Sequence, residues 1–177
     1  MSDIRAAMVL HANMDLVQRE SRLGLDVEVT CDAGCNWCCY LPVAITNDEA
    51  NLLHFVIQKK GISLDVSRLS KQTNWGMNAE TWGSHDWEDC KCGLLGDDGK
   101  CSVYEYRPLS CRNLITSCSQ EACKAHMGRG ATPDRSFKAL TNEPMNAIMK
   151  SAMEKGKVFL SNALLTMTNQ QVKGEVA

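Results

Sequence analysis

The stretch CDAGCNWCC at residues 31–39 and the stretch CKCGLLGDDGKCSVYEYRPLSCRNLITSCSQEAC at residues 90–123 hold all 10 cysteines of a 177-residue chain. Residues 40–89, which separate the two stretches, contain none. Clustered thiolates repel one another unless a cation neutralises them, and a fold that gathers so many soft ligands binds Zn²⁺, iron or an iron–sulfur cluster readily. We therefore expect the two stretches to converge on one or two metal centres.

The rest of the sequence is typical of a protein in a reducing compartment. Charged side chains interrupt the first 25 residues, and no apolar run approaches the roughly 20 residues that a membrane helix requires. We expect a cytoplasmic protein with no membrane partner, whose clustered cysteines act as metal ligands or redox groups before they form disulfides. The alternative for one or two cysteines is that they are buried thiols that pack as small apolar side chains.

The charge balance excludes strong global attraction to nucleic acid or to an anionic membrane. Lys and Arg number 19 against 21 for Asp and Glu, which gives a net charge of -2. We interpret a local basic stretch as a solvated loop, with phosphate or RNA contact as the alternative; it contains Lys124, His126, Arg129, Arg135 and Lys138. We expect a protein or a small molecule as the partner, without identifying it.

Hydrophobic periodicity predicts a single, mainly α-helical domain over residues 1–177, with a small β-hairpin and with cysteine-rich loops that a metal organises. Residues 1–24 are predicted to form an amphipathic packing helix. Thr46 and Glu49 form a capping box for a second helix, which Gly61 ends. A weaker helix is predicted at about 65–74, a short strand at 41–45 and an irregular loop at 75–90.

The later part of the chain carries turn and helix-stop signals. Short apolar runs flank Asp98-Gly99, a turn pair, so the second cysteine stretch predicts a hairpin over residues 92–104. Pro108 suits the first turn of a short helix through Cys111. Residues 142–177 are predicted to form a C-terminal helix, which Gly156 ends, and a tail that is polar and frayed from Asn169.

Two motifs within a cysteine-cluster core at residues 31–123 resemble those of the YkgJ-type cysteine-cluster family, a zinc- or iron-chelating domain named for its CxxCxxCC motif. The sequence CNWCC at residues 35–39 is similar to the end of the first motif. Residues 92–112 are similar to the second motif, in which a Cys and a hairpin precede the pattern Cys-x-(apolar)-Tyr-x-x-Arg-Pro-x-x-Cys-Arg. The resemblance implies metal chelation.

The resemblance also implies a ligand set drawn from both stretches. The chelators that it carries over are Cys31, Cys35, Cys38, Cys39, Cys92, Cys101 and Cys111. Cys118 joins the candidate metal ligands, and Cys90 and Cys123 are additional candidates. Three neighbouring residues are candidates to support the ligands from outside the coordination sphere: Tyr104, Arg107 and Arg112. The alternative is that Arg107 bonds backbone carbonyls around the hairpin.

One spacing departs from the family pattern, because three residues separate Cys31 from Cys35 where the family has two. The spacing from Cys31 to Cys38 is also similar to the cluster motif of radical S-adenosylmethionine enzymes, which need a series of β/α units that is not predicted here. The cysteine-cluster family is in turn similar to flagellin lysine methylases. A radical or methyl-transfer enzyme that uses S-adenosylmethionine is therefore kept as an alternative.

Ligand type bears on the choice of metal. The cysteine spacings are irregular and no His partner stands out, which favours iron or an iron–sulfur cluster, with zinc as the alternative. The sequence thus predicts a metal-binding cysteine-cluster protein with a redox, metal-handling or modification-related role. A structural zinc module for protein interaction is the non-enzymatic alternative, and whether the protein is an enzyme stays open.

Overall fold

Helices account for most of the chain that the structure describes. The computed structural model describes residues 2–23, 29–31, 34–77, 79–127 and 140–174. The elements are, in chain order, α1 Ser2–Leu23, β1 Ala44–Thr46, α2 Asn47–Lys60, α3 Val66–Trp75, α4 Ala79–Gly83, α5 Leu109–Asn113, α6 Gln120–Met127, α7 Glu143–Glu154, β2 Lys157–Phe159 and α8 Leu160–Gly174. Short 3₁₀ turns cover Trp37–Tyr40, Glu88–Cys90 and Tyr104–Tyr106. The predicted fold class, mainly α with one small antiparallel β pair, is confirmed.

The first two helices form where their local signals predict them. α1 has 22 residues, and its predicted stop, Gly24, lies outside the described residues. At the start of α2, the Glu49 amide donates to Thr46 Oγ1 at 3.1 Å and the Thr46 amide donates to Glu49 Oε2 at 2.9 Å, which completes the capping box. Gly61 ends α2 with φ 61°, a left-handed conformation that favours glycine.

The main hydrophobic core is formed by residues of α1, α2, α3, α8 and the segments beside them. Its most deeply buried side chains include Ile45, Leu52, Leu53, Ile57, Leu69, Val103 and Leu164. A second apolar cluster joins α1 to α5 and α7 through Met14, Leu109 and Met145. Burial of one such side chain contributes about 1.5–3 kcal/mol, so both clusters contribute substantially to holding the helices together.

The antiparallel strands are far apart in the sequence. β1 pairs with β2, and Ala44 lies opposite Phe159. β1 begins three residues later than the predicted strand at 41–45 and continues directly into α2. Because β2 likewise continues into α8 and the strands are antiparallel, the pair holds the starts of the two core helices at its opposite ends.

The hairpin predicted over residues 92–104 is wrong in its strands and right in its turn. All of these residues are described, and a single bridge between Leu95 and Cys101 is the β pairing that they contain. Gly99 has φ 74°, as the Asp98-Gly99 turn requires. The Ser102 amide donates to Leu94 O at 2.9 Å beside this bridge, and the side chains of Leu94 and Val103 are buried in the main core.

The C-terminal region contains more regular structure than predicted. α7 ends before Gly156, as expected. The chain then forms β2 and α8, and α8 continues through Asn169 to Gly174, so the predicted fraying from Asn169 is wrong across those residues. The cause is tertiary, because α8 buries Leu160 and Leu164 in the main core. Residues 175–177 lie outside the described residues.

Residues 75–90 are also more ordered than the predicted irregular loop. They contain α4 and a 3₁₀ turn. Trp82 is buried against Phe159, with the ring centroids 5.4 Å apart, and its indole N–H donates to Tyr40 O at 2.8 Å. Among the helices in the described ranges, none has the length and apolarity needed to cross a membrane.

Candidate metal centre

The first cysteine stretch forms a tight turn that presents two adjacent thiols. Gly34 has φ 101°, and the 3₁₀ turn Trp37–Tyr40 follows it. The Cys39 amide donates to Asn36 O at 2.9 Å, which closes the turn. The Asn36 side-chain amide donates to Gly99 O at 3.0 Å and thereby ties this loop to the second cysteine stretch.

A backbone hydrogen bond also joins the two cysteine stretches directly. The Cys92 amide donates to Cys39 O at 2.8 Å. Gly96 N donates to Lys100 O at 2.9 Å inside the turn that separates Cys92 from Cys101. The expected convergence of the distant loops is therefore present in the structure.

Cys111 is positioned by a buried carboxylate in the helical core. Glu49 Oε1 accepts from the Leu109 amide at 2.6 Å and lies 2.9 Å from His11 Nε2, which fixes the start of α5 against α1 and α2. Burial opposes ionisation of this carboxyl, but hydrogen bonds from His11, Thr46 and Leu109 outweigh that effect and lower the pKa of Glu49. The sequence prediction gave Glu49 its capping role and gave His11 no role, because their contact joins positions 38 apart.

Seven cysteines border one cavity of about 100 Å³. They are Cys31, Cys35, Cys38, Cys39, Cys92, Cys101 and Cys111, the same set that the family resemblance carries over. Apolar side chains complete much of the wall, among them Val43, Leu94 and Leu160, and Arg22 and Arg107 also border it. The cavity therefore combines soft ligands with an apolar surround.

Five of these cysteines form what we call the first thiol group: Cys38, Cys39, Cys92, Cys101 and Cys111. Burial raises the pKa of Cys92 to about 11, and burial likewise raises the pKa of Cys101 and, by more, that of Cys111. A negative charge on Cys38 adds to the increase at all three positions, which places their sulfurs near that of Cys38. The group resists full ionisation unless a cation enters.

Two backbone amides point at sulfurs of the first thiol group. The Leu94 amide donates to Cys92, and the Val103 amide donates to Cys101, each two residues after its cysteine. Such bonds favour the thiolate form and lower the pKa against the effect of burial. Donors that orient and stabilise a ligand atom are what a metal site requires outside its coordination sphere.

Cys38 and Cys39 are unlike each other in proton affinity. The Cys39 thiol donates to the Cys38 sulfur, which lowers the pKa of Cys38, and the guanidinium of Arg107 lowers it further. The same hydrogen bond, with burial, raises the pKa of Cys39. Cys38 is thus the sulfur of this pair that loses its proton first.

A second set of cysteines combines two from the cavity wall with two of the remaining candidates. We call it the second thiol group: Cys31, Cys35, Cys118 and Cys123. The sulfurs of Cys118 and Cys123 lie 3.3 Å apart across the start of α6. The Thr116 amide donates to Cys31 Sγ at 3.2 Å, and the Thr116 hydroxyl donates to Cys118 Sγ at 3.0 Å. Cys123 was an additional candidate in the sequence. No motif there indicates that it lies beside Cys118.

Cys90 is placed apart from both thiol groups. Its side chain is buried with Trp82 and Phe159, and its thiol donates to Trp82 O at 3.4 Å. This environment matches the alternative in which a cysteine packs as a small apolar residue.

The supporting residues differ in what they contact. Arg112 is buried and donates to Arg107 O at 2.8 Å, to Asp15 Oδ1 at 2.6 Å and to Glu105 O. Arg112 therefore holds the backbone at residues 105 and 107 and pairs with Asp15. Arg107 lies over the Tyr104 ring, 4.2 Å from the centroid, and bonds Tyr104 O at 3.1 Å, while its charge also lowers the pKa of Cys38 and Cys101.

All 10 cysteines lie within the described residues, and each is a thiol outside any disulfide. Among the described residues, no three side chains of Cys, His, Asp or Glu meet in a closed coordination group. The thiols instead surround the cavity with their hydrogen-bond donors in place. Within the same ranges the β structure consists of the β1–β2 pair and isolated bridge residues at Leu95, Cys101 and Thr116, not the β/α series that radical S-adenosylmethionine enzymes need.

Comparison with known proteins places this arrangement in a family. Residues 30–143, about two thirds of the chain, match the CxxCxxCC family model, whose description is "putative zinc- or iron-chelating domain". The chain has no significant match to a curated protein or to a solved structure. The matched region contains both cysteine stretches and both thiol groups, and the chain belongs to the CxxCxxCC family of zinc- or iron-chelating domains.

Proposed function

We propose that this protein binds iron through the first thiol group, as an iron–sulfur cluster or as mononuclear iron. The observation that supports this most directly is that five cysteines from three chain segments border one cavity with apolar walls. Structural zinc sites and iron–sulfur clusters both take four protein ligands, but iron–sulfur clusters accept more varied cysteine spacings than zinc sites built from two close cysteine pairs. Zinc bound by the same thiols is the alternative.

The surroundings of the first thiol group suit a redox role. Amide donors to Cys92 and Cys101 stabilise negative charge on the sulfurs, and Arg107 adds a positive charge beside Cys38. Hydrogen bonds to sulfur, net charge and solvent exposure are the means by which proteins set the potential of an iron–sulfur centre. We propose electron transfer or metal handling in a reducing compartment such as the cytoplasm.

The test is the metal content of full-length protein kept from air throughout. We expect iron with acid-labile sulfide, broad visible absorption from charge transfer between thiolate and iron, and bleaching by dithionite. Cys92→Ser with Cys101→Ser should remove the iron and the absorption. Cys90→Ser is the matched control, because Cys90 is equally a cysteine of the second stretch but packs away from the cavity.

Three results would contradict the proposal. Stoichiometric zinc with no iron or labile sulfide would show that this centre binds zinc instead of iron. Iron retained by the Cys92→Ser, Cys101→Ser variant would show that other residues bind the iron. Absence of any metal, with the first-group thiols found in disulfides, would remove the centre altogether.

A further inference from the structure

We propose that the second thiol group, Cys31, Cys35, Cys118 and Cys123, forms a separate four-cysteine site for a single Zn²⁺ ion. This inference rests on the proposed function, in that the first thiol group holds its own metal. The family resemblance instead assigns Cys31 and Cys35 to one set with Cys38 and Cys39, and it does not include Cys118 or Cys123.

The first argument is the approach of four thiols from two chain segments. Cys118 and Cys123 are both buried and their sulfurs are 3.3 Å apart. Cys31 is held beside Cys118 because the Thr30 amide donates to Thr116 O at 3.1 Å and the Thr116 amide donates to Cys31 Sγ. Thr116 thus holds Cys31 on the same side of the fold as the Cys118–Cys123 pair.

The second argument places Cys35 with these three. The Trp37 amide donates to the Cys35 sulfur, and the Trp37 ring packs against Cys118 and Cys123. Charges on Cys38 and, by less, on Cys118 act on Cys35, and charges on Cys118, Cys31 and Cys35 act on Cys123. These effects fall with distance, so the four thiols form one neighbourhood.

The third argument is the separation from the first thiol group. The charges that act on Cys123 come from the other three members of the second group. The charges that act on Cys111 come from Cys38, Cys92, Cys101 and Glu49, all outside the second group. Cys118 and Cys123 are not among the residues that border the cavity, whereas Cys31 and Cys35 are, and Cys38 acts on Cys31 and Cys35 as well as on Cys92, so Cys38 lies between the two groups.

The donor chemistry fits a structural zinc site. Four sulfurs make a complete tetrahedral set for Zn²⁺, and binding releases the four thiol protons, so that one Zn²⁺ and four thiolates carry a net charge of minus two. The Thr116 amide and hydroxyl and the Trp37 amide supply hydrogen bonds to three of the sulfurs. Lys124 Nζ, 5.3 Å from the centroid of the Trp37 ring, supplies positive charge nearby.

The experiment compares metal content in three full-length proteins, purified without air from cells supplied with iron and zinc. In the native sequence we expect about one zinc per chain bound by four sulfurs at about 2.3 Å in zinc-edge X-ray absorption, in addition to iron. Cys118→Ser with Cys123→Ser should lower zinc at least tenfold while the iron absorption stays. Cys92→Ser with Cys101→Ser should remove iron while zinc stays near one equivalent.

The outcomes separate this inference from the proposed function. Unchanged zinc and iron in the Cys118→Ser, Cys123→Ser variant, or loss of both metals from a variant that keeps native helical circular dichroism, would overturn the separate site. A native protein with iron and no zinc would overturn it while leaving the proposed function intact. Zinc without iron in the native protein, lost only with Cys118 and Cys123, would support the site and overturn the iron proposal.

The Cys118→Ser, Cys123→Ser variant could lose zinc because it fails to fold. A second measurement therefore uses protein that keeps both cysteines. Metal-free protein is titrated without air, first with Co²⁺ and then with Zn²⁺. Cobalt in a four-thiolate site gives strong charge-transfer absorption, and zinc displaces it. We expect this signal in the native protein and, saturating at about one equivalent, in the Cys92→Ser, Cys101→Ser variant. Its absence from that variant would overturn the inference.

Discussion

The helical core and the thiol cavity bury their polar groups in opposite ways. In the core, Glu49 is fully buried, and its carboxylate accepts hydrogen bonds from the backbone of Thr46 and Leu109 and contacts His11. In the cavity, burial and neighbouring charge raise the pKa of Cys92, Cys101 and Cys111. The comparison teaches that one region balances its buried charge with its own groups, whereas the other keeps these thiols protonated unless a cation enters.

Metal removal should separate the two regions most strongly. Metal binding to a structural thiolate site is worth on the order of 10 kcal/mol, so a chelator should cost the cavity loops most of their order. We expect the amides of Cys39 and Cys92, which hydrogen-bond within and between the cysteine stretches, to lose hydrogen-exchange protection, while Leu53 and Val56 in α2 keep theirs. Equal protection of both sets before and after chelation would contradict this division.

The next largest effect should come from removal of the buried charge of Glu49, which lowers the stability of the core. Glu49→Gln leaves a donor group facing donors at a site that fixes α1, α2 and α5, and we expect a loss of about 4 kcal/mol in the free energy of unfolding. Urea denaturation of the metal-loaded protein measures it. Glu20→Gln on the exposed face of α1 is the control and should change stability by less than about 0.5 kcal/mol.

A pure packing change in the core should cost slightly less. Leu164 is fully buried in α8, and Leu164→Ala should lower the free energy of unfolding by about 3 kcal/mol through lost transfer energy and a residual cavity. Phe55→Ala is the control, because that side chain is half exposed. Metal stoichiometry should be unchanged in Leu164→Ala, and loss of metal there would show that the two regions are not separable.

Acid should weaken the core through Glu49. Its pKa is lower in the folded state than in the unfolded chain, so its contribution is complete above the unfolded value near 4.3 and is lost as pH falls through the folded value. Each unit of pKa difference is worth about 1.4 kcal/mol. Stability curves from pH 7 downward should fall less steeply for Glu49→Gln than for the native protein, and parallel curves would exclude Glu49 as the source.

The smallest expected effect is at the tie between the two cysteine stretches. Gly99 has φ 74°, and a Cβ there would lie 3.0 Å from the Asn36 side-chain nitrogen. Gly99→Ala should cost about 1 kcal/mol and speed the release of metal to a chelator. Gly83→Ala, at a helical position with nothing within 4 Å of the added carbon, is the matched control, and equal release rates in both variants would contradict this role for the tie.

Local signals predicted the elements that local chemistry determines. The Thr46 and Glu49 capping box, the stop at Gly61 and the short helix after Pro108 depend on residues within one or two turns of one another. The ligand-bearing stretches were likewise evident from cysteine density. That they converge could be expected from charge, because thiolates without a shared cation repel.

These local patterns do not predict contacts between residues that are far apart in the sequence. Nothing in the sequence indicates that Ala44 pairs with Phe159, because three-residue strands carry too little periodicity to select a partner. The second role of Glu49, at the start of α5, depends on a contact 60 positions away. The grouping of Cys31 with Cys118 depends in the same way on Thr116, which contacts both sulfurs only after folding has brought residue 31 to residue 116.

The position of Leu160 sets a time at which the cavity wall can be completed during protein synthesis. Leu160 borders the cavity and follows the last cysteine, Cys123, by 37 positions in the chain. At roughly 5–20 residues per second, a ribosome takes about 2–7 s to cover that distance. During those seconds every thiol has been made while the helix that closes the cavity has not, so the nascent chain meets metal ions, oxidants and reductants with its cysteines unshielded.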